Sequence, residues 1–309
     1  MEQHIPVLLH ESIEGLNIKP EGIYIDGTLG RAGHALEIVK RLTTGQLIAI
    51  DRDEDAIDMA KTQLFDYKNR TTLIHGNFKD IKKIMDEVGV EKVDGMLFDL
   101  GVSSPQLDNV TRGFSYMQDA NLDMRMDKNE SLTASKIVNN WQEGELRKIF
   151  YEYGEERYSR AIARAIVKKR AREQIDTTFK LNETIISAIP AAARREAQHP
   201  SKRSFQALRI AVNDELGSVS TMLSAAPSLL KPEGRLSIIS FHSLEDRLVK
   251  RAFSAATKNC NCPRGAPICI CNVKPTLKLI NRKPIIASES ETKRNPRARS
   301  AKLRIAERI

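Results

Sequence analysis

Residues 23–34, Ile-Tyr-Ile-Asp-Gly-Thr-Leu-Gly-Arg-Ala-Gly-His, constrain the fold of this chain more than any other stretch. A short apolar run closes in Asp26, glycines follow at 27, 30 and 33, and the apolar periodicity of 35–42 predicts a helix. Strand, tight turn and helix start, in that order, open an α/β unit. Glycines let the backbone of such a turn approach a ligand, and the unpaired N–H groups of the helix start face negative charge or lone pairs. A nucleotide-like ligand fits there. Turns of this kind also serve as plain tight connections, and the stretch alone does not separate the two readings.

The arrangement repeats downstream. Residues 46–50 predict a second strand closed by Asp51, and an acid at that place in nucleotide-binding α/β folds accepts hydrogen bonds from ribose hydroxyls. Asp53, Glu54 and Asp55 open the next helix, where acids complement the helix dipole. A third strand at 71–75 ends in Gly76-Asn77-Phe78, and Phe78 either stacks on an adenine ring or joins the core. A helix at 81–88 leads to a fourth strand at 93–97, closing in Phe98-Asp99-Leu100-Gly101. After a turn at 231–234 comes a fifth strand, 235–240, with the polar cluster Phe241 to Arg247 at its end and His242 expected to face the crevice. Segments 275–280 and 301–305 suggest a final strand pair. The fold class is therefore α/β, a parallel sheet whose strand carboxyl ends line a crevice.

Between the fourth and fifth strands the pattern changes. Residues 102–107 and 111–116 read as loop, and helical spacing follows at 134–138, 143–153, 158–172 and 181–189. This predicts an inserted all-helical domain, with boundaries 1–108, 109–200 and 201–309. In its third helix, Ala161 with Ala165 and Ile162 with Ile166 are expected inward, while Arg160, Arg164 and Lys168 form a row on another face. A single long helix is expected from Ser201 to near Leu230.

Forty-nine Lys and Arg against forty Asp and Glu leave a net charge of +9. The excess gathers in 157–172, 194–203 and 293–304, which suits a polyanionic partner as well as solvated helix faces. No apolar run reaches membrane-spanning length and no signal pattern opens the chain, so no membrane association and a cytoplasmic location are expected. The four cysteines stand as Cys260-x-Cys262 and Cys269-x-Cys271, which can bind zinc or, oxidised, pair as disulfides. Metal binding is left open at this point.

Two enzyme classes combine a glycine-rich first turn with an acidic second strand: dinucleotide-dependent dehydrogenases and S-adenosylmethionine-dependent methyltransferases. Gly27, Gly30 and Gly33 do not make the G-x-G-x-x-G that a pyrophosphate requires, so the dehydrogenase loses ground. Methyl transfer needs no pyrophosphate cradle. It also gives Asp99-x-x-x-Ser103-Ser104-Pro105 a purpose, because this segment resembles the Asp/Asn/Ser-Pro-Pro-aromatic loop of enzymes that methylate exocyclic amines. Such an amine is a poor nucleophile, its lone pair being conjugated into the ring. Acceptors aimed at its two N–H groups favour a pyramidal nitrogen, and Asp99 and the hydroxyl or carbonyl of Ser104, ahead of Pro105, are candidates.

Taken together, Asp26-Gly27-Thr28-x-Gly30-x-x-Gly33-His34, Asp51-Arg52-Asp53, Asp99-Leu100-Gly101-Val102-Ser103-Ser104-Pro105-Gln106, Arg112-Gly113-Phe114, Leu122-Asp123-Met124-Arg125-Met126, Phe241-His242-Ser243-Leu244-Glu245-Asp246-Arg247 and Asn295-Pro296-Arg297-Ala298-Arg299-Ser300 resemble the bacterial RsmH family, also called MraW. The resemblance implies a class I (Rossmann-like) methyltransferase sheet with an inserted helical domain. It implies S-adenosylmethionine as cofactor and N4 of a cytidine in the decoding region of 16S ribosomal RNA as target, with the small ribosomal subunit as partner. By position, Ala32, Gly33, His34, Asp51, Phe78, Asp99 and Gln106 would contact the cofactor. Asp99, Ser104 and Pro105 are the catalytic candidates. Ala32 replaces the family's usual glycine, a change that the turn tolerates if φ there is negative. A DNA amino-methyltransferase and a non-catalytic RNA-binding assembly factor are the rival readings, and the oligomeric state, a homodimer included, is left open.

Overall fold

The computed structural model describes residues 6–195, 198–260, 262, 271 and 273–309. The chain divides into two units, one of Met1–Gly101 with Leu216–Ile309, the other of Val102–Glu215. In chain order the first unit opens with α1 (Leu9–Leu16), β1 (Ile23–Asp26), α2 (Gly33–Lys40), β2 (Gln46–Asp51), α3 (Glu54–Gln63), β3 (Thr71–His75), α4 (Ile81–Val88) and β4 (Val93–Asp99). The second unit carries α5 (Ser104–Asp108), α6 (Ala134–Asn140), α7 (Glu143–Glu152), α8 (Ser159–Arg170), α9 (Thr178–Ala188) and α10 (Lys202–Asn213). The first unit then resumes with α11 (Glu215–Leu229), β5 (Leu230–Ser240), α12 (Ser243–Ala256), β6 (Leu277–Leu279), β7 (Ile285–Ile286), α13 (Glu289–Arg294) and β8 (Lys302–Arg308).

The first unit is built on one sheet in the order β3-β2-β1-β4-β5-β8-β6, with β7 also pairing β8. Strands β1 to β5 are parallel and β8 runs antiparallel to β5 and β6. This is the class I, Rossmann-like arrangement. Parallel strands are covered on both faces and so read as continuous apolar runs. Side chains alternate between two cores: Ile25, Ile48, Ile50, Met96 and Phe98 enter one, and Tyr24, Leu47, Ala49 and Leu97 the other. The strand order reverses direction between β1 and β4, and α/β sheets bind ligands outside the strand carboxyl ends at such a point.

Three sequence expectations change here. Asp214, at φ 45°, breaks the single long helix into α10 and α11. The turn at 231–234 is absorbed into β5 as an irregularity: Val93 pairs with Leu230 but Gly95 with Arg235, and Glu233 takes φ 66°. Residues 102–107, read as loop, contain α5, capped by Ser103 with Pro105 in its first turn. Helix α1, which the sequence reading did not assign, buries Ile13 and Leu16.

The second unit has its own core, in which Ile162, Ala163 and Ile166 of α8 meet Leu146, Ile149, Phe150, Leu181 and Ile185. Ala161, expected inward, is exposed. The buried stripe is centred on Ile162 and Ile166, so Ser159 and Ala163 flank it and residue 161 falls outside. Helix α10 belongs to this unit, through Phe205, Ala207, Leu208 and Val212. Two motifs hold the unit together. The buried Arg112 donates to the carbonyls of Arg125 and Met126 at 2.9 and 2.8 Å. Arg125 forks onto both Asp123 oxygens, at 2.9 and 2.7 Å. Asn213 accepts from the Met126 N–H and donates to the Met124 carbonyl, each at 2.8 Å. Gly113 sits at φ 69°, and a Cβ there would lie 2.2 Å from the Asn121 carbonyl oxygen.

Candidate active site

The first turn is held by backbone bonds that reach across three strands. Gly27 N–H donates to the Leu97 carbonyl at 2.9 Å and Leu29 N–H to that of Ile50 at 3.0 Å. The glycines divide the work. A Cβ on Gly27 would fall 2.2 Å from the Phe98 ring, and one on Gly33 would fall 2.2 Å from Pro6, so both serve close packing. Gly30 is the one with a left-handed backbone, at φ 50°. Ala32 is left-handed as well, at φ 55°, so the condition under which the turn would tolerate alanine without strain is not met. An L-residue there costs about 1–2 kcal/mol; the methyl of Ala32 is fully buried, and burying it returns about 0.8 kcal/mol. Burial offsets only part of the cost of holding alanine in a glycine's place.

Three carboxylates end β1, β2 and β4. Asp26 is 1% exposed; its Oδ1 accepts from Thr28 N–H at 3.1 Å, while Oδ2 is buried without a hydrogen-bond partner. Burial, with the charge of Asp51 adding, pushes its pKa up to about 7. Asp51 accepts from Gly30 N–H through Oδ2 at 2.8 Å and from Asp53 N–H through Oδ1 at 2.9 Å, tying the first turn to the end of β2. Burial raises Asp51 to about 6 against the pull of those two N–H groups. Each of its oxygens keeps a lone pair for a further donor.

Asp99 completes the set. Its N–H donates to Thr28 Oγ1 at 2.6 Å, joining β4 to the same turn. Burial first, then the charges of Asp26 and Glu245, hold its carboxyl well above the usual range. Oδ1 is buried without a hydrogen-bond partner, and Oδ2 lies 3.9 Å from His34 Nδ1. His34 is 5% exposed and its Nε2 is 3.1 Å from the Val7 carbonyl. A carbonyl only accepts, which puts an imidazole proton on Nε2. The arrangement is acidic and short of donors. It suits a cation that carries N–H or O–H groups.

The other sequence candidates fall in three places. Gly33 and His34 open α2 beside this cluster. Phe78 packs edge-on against Phe98, centroids 5.7 Å apart, and is half-buried in the core of the first unit. Ser104, Pro105 and Gln106 lie in α5 of the second unit. There Gln106 Oε1 accepts from Ser103 N–H at 3.0 Å in a capping box, and Ser104 is 7% exposed. His242 caps α12: its Nε2 lies 3.2 Å from the buried Glu245, whose other oxygen accepts from Phe241 N–H at 2.9 Å. Sequence reasoning missed Asp26, Thr28 and Glu245 as site residues. An acid closing an otherwise apolar strand was the signal for Asp26.

In the second unit, a cleft of about 190 Å³ is lined in part by Arg157, Tyr158, His199 and Arg203. Tyr116 stacks on His199 at 4.4 Å, and the Arg157 guanidinium lies 4.8 Å from the Tyr158 ring centroid. Arg160, Arg164 and Lys168 of α8 are exposed. Among the described residues, no helix is long and apolar enough to cross a membrane.

A family model described as the MraW methylase family matches residues 1–309. Proteins named ribosomal RNA small subunit methyltransferase H are similar throughout. That of Brevibacillus brevis is 54% identical over 307 residues, covering 99% of this chain and 98% of its own. That of Paenibacillus sp. (strain JDR-2) is 52% identical over 316 residues and 100% of both chains, and that of Clostridioides difficile 52% over 307 residues and 99% of both.

Proposed function

The chain belongs to the MraW methylase family, and from that premise we propose that it moves a methyl group from S-adenosylmethionine to N4 of a cytidine in the decoding region of 16S ribosomal RNA. The observation that carries the reading is the acidic end of β1, β2 and β4, where Asp26 and Asp99 each keep a buried carboxylate oxygen without a hydrogen-bond partner. S-adenosylmethionine fits this set: it brings a sulfonium, an ammonium and ribose hydroxyls, and supplies an electrophilic methyl group. Asp51 takes the ribose hydroxyls on its remaining lone pairs. Gly33 and His34 border the methionine end, the left-handed backbone at Ala32 sets the direction of α2, and Phe78 borders the adenine.

Asp99 stands at the centre of the chemistry. Its free oxygen accepts a hydrogen bond from the target amine; Ser104, which the sequence offers as a second acceptor through its hydroxyl or carbonyl, belongs to the second unit. Pro105 fixes the backbone after Ser104. No strong base is needed, because the amine proton becomes acidic only as the new N–C bond forms; it then leaves through Asp99 or to water. Gln106 supports the segment through its capping bond to Ser103. The relatives' name supports the ribosomal substrate. The exposed cations of α8 and the aromatic-lined cleft of the second unit support contact with an RNA chain, whose phosphates and unstacked bases such groups recognise.

The test is methylation of purified small subunits, naked 16S RNA and duplex DNA by one preparation, followed by nucleoside mass spectrometry. N4-methylcytidine from an RNA substrate alone is the expected result. Methyl groups on DNA only would remove the RNA reading, and methylation of RNA at another atom would remove the N4 assignment.

A further inference from the structure

All four cysteines of the chain fall within residues 257–275, between the end of α12 and β6. The ends of this excursion are pinned: Thr276 N–H donates to the Ala256 carbonyl at 2.8 Å, and Leu277, next in the chain, is buried. Between them the sequence offers only Ala266, Ile268, Ile270 and Val273 as non-proline apolar side chains besides the cysteines. That is too little surface to form a core, and small segments in that position are held by cross-links or metals. Among the described residues, Cys260, Cys262 and Cys271 are not in disulfides, and their sulfur atoms all lie within 4.8 Å of one another.

We propose that Cys260, Cys262 and Cys271 bind a structural zinc ion, with Cys269 as the fourth ligand. Zinc–thiolate bonds of about 2.3 Å in a tetrahedron place neighbouring sulfurs about 3.8 Å apart. Cys271 Sγ and Cys260 Sγ are 3.7 Å apart. The widest pair has to close by at most about 1 Å to reach the same edge. The Cys262 N–H lies 3.2 Å from Cys260 Sγ, the kind of outer donor that stabilises a metal-bound thiolate. Cys269 lies outside the described residues; the sequence sets it two positions before Cys271, repeating the spacing of Cys260 and Cys262. Soft thiolates without imidazole or carboxylate select zinc, copper(I) or iron–sulfur clusters, and a closed four-thiolate zinc site is structural. Binding releases the four thiol protons to solvent. The excursion carries Lys258, Arg264 and Lys274 and no acidic residue, which offsets the double negative charge of a zinc tetrathiolate.

The test begins with metal analysis of the full chain purified without added zinc or chelator. About one zinc per chain is expected, with the four thiols unreactive until a chelator is added. Cys260→Ser, Cys262→Ser, Cys269→Ser and Cys271→Ser should each lose most of the metal while still binding S-adenosylmethionine. Should a variant not fold, cobalt(II) titration of the metal-stripped wild type takes its place, and the visible bands of tetrahedral cobalt–thiolate are expected. Zinc well below half an equivalent, bound iron in its place, or full zinc retained by the serine variants would each overturn the proposal.

Discussion

Asp51 shows how a side chain serves the fold and the site at once. Both of its oxygens hold backbone N–H groups, one of them from the glycine turn. Asp51→Ala should therefore weaken S-adenosylmethionine binding by tenfold or more, roughly the worth of a charge-assisted hydrogen bond, and lower stability by about 1–3 kcal/mol. Calorimetry and chemical denaturation read the two effects, and unchanged affinity would remove Asp51 from the cofactor site. The pH dependence follows from the same cluster. Asp51 and Asp26 titrate near 6 and 7 when folded and near 3.8 when unfolded. The folded chain then holds more protons between those values, so these groups stabilise it fully below about pH 4 and the contribution is lost as pH rises through 6 to 7. A cation binds the ionised carboxylates, so S-adenosylmethionine affinity should rise over the same interval, and more steeply than that of uncharged-sulfur S-adenosylhomocysteine. Equal slopes for the two ligands would contradict the role given to the carboxylates. Ala32 was not legible in this detail: the letters show a small residue in a glycine's place but not the sign of φ.

Elements of the sheet were legible because each parallel strand is a short apolar run ending in an acid or a turn, a pattern that burial on both faces enforces. Shorter or mixed segments were not. Helix α5 spans five residues and contains a proline, so its capping box was hidden inside what reads as loop. The break at Asp214 depends on a single left-handed residue, and Ala161 and Ala163 are equivalent to composition though only one faces the core. The motifs Arg112-Gly113-Phe114 and Leu122 to Met126 look functional in the sequence, yet their hydrogen bonds are internal to the helical unit. Asn213→Ala leaves the Met126 N–H and the Met124 carbonyl unpaired and should destabilise that unit by about 2–4 kcal/mol. Hydrogen exchange should show the loss in α6 to α10 and not in β1 to β4. Uniform change across the chain would mean that the two units unfold together. Ser104→Ala, by contrast, should lower turnover with cofactor affinity kept, and unchanged turnover would exclude Ser104 from amine activation.

Across the whole molecule, charge and chemistry occupy different units. The acidic strand ends belong to the sheet, whereas Arg160, Arg164 and Lys168 are exposed on the helical unit. Replacing those three by alanine should weaken RNA binding and flatten its salt dependence by about two units of slope, the share of three phosphate contacts on a single strand. Fluorescence anisotropy at several salt concentrations measures it; an unchanged slope would place the RNA elsewhere. The most direct measurement is nucleoside mass spectrometry of 16S RNA from cells that lack this chain and from the same cells supplied with it or with its Asp99→Ala form. N4-methylated cytidine should be missing in the first, restored by the intact chain and missing again with Asp99→Ala. Full N4-methylation in cells without the chain would contradict the account.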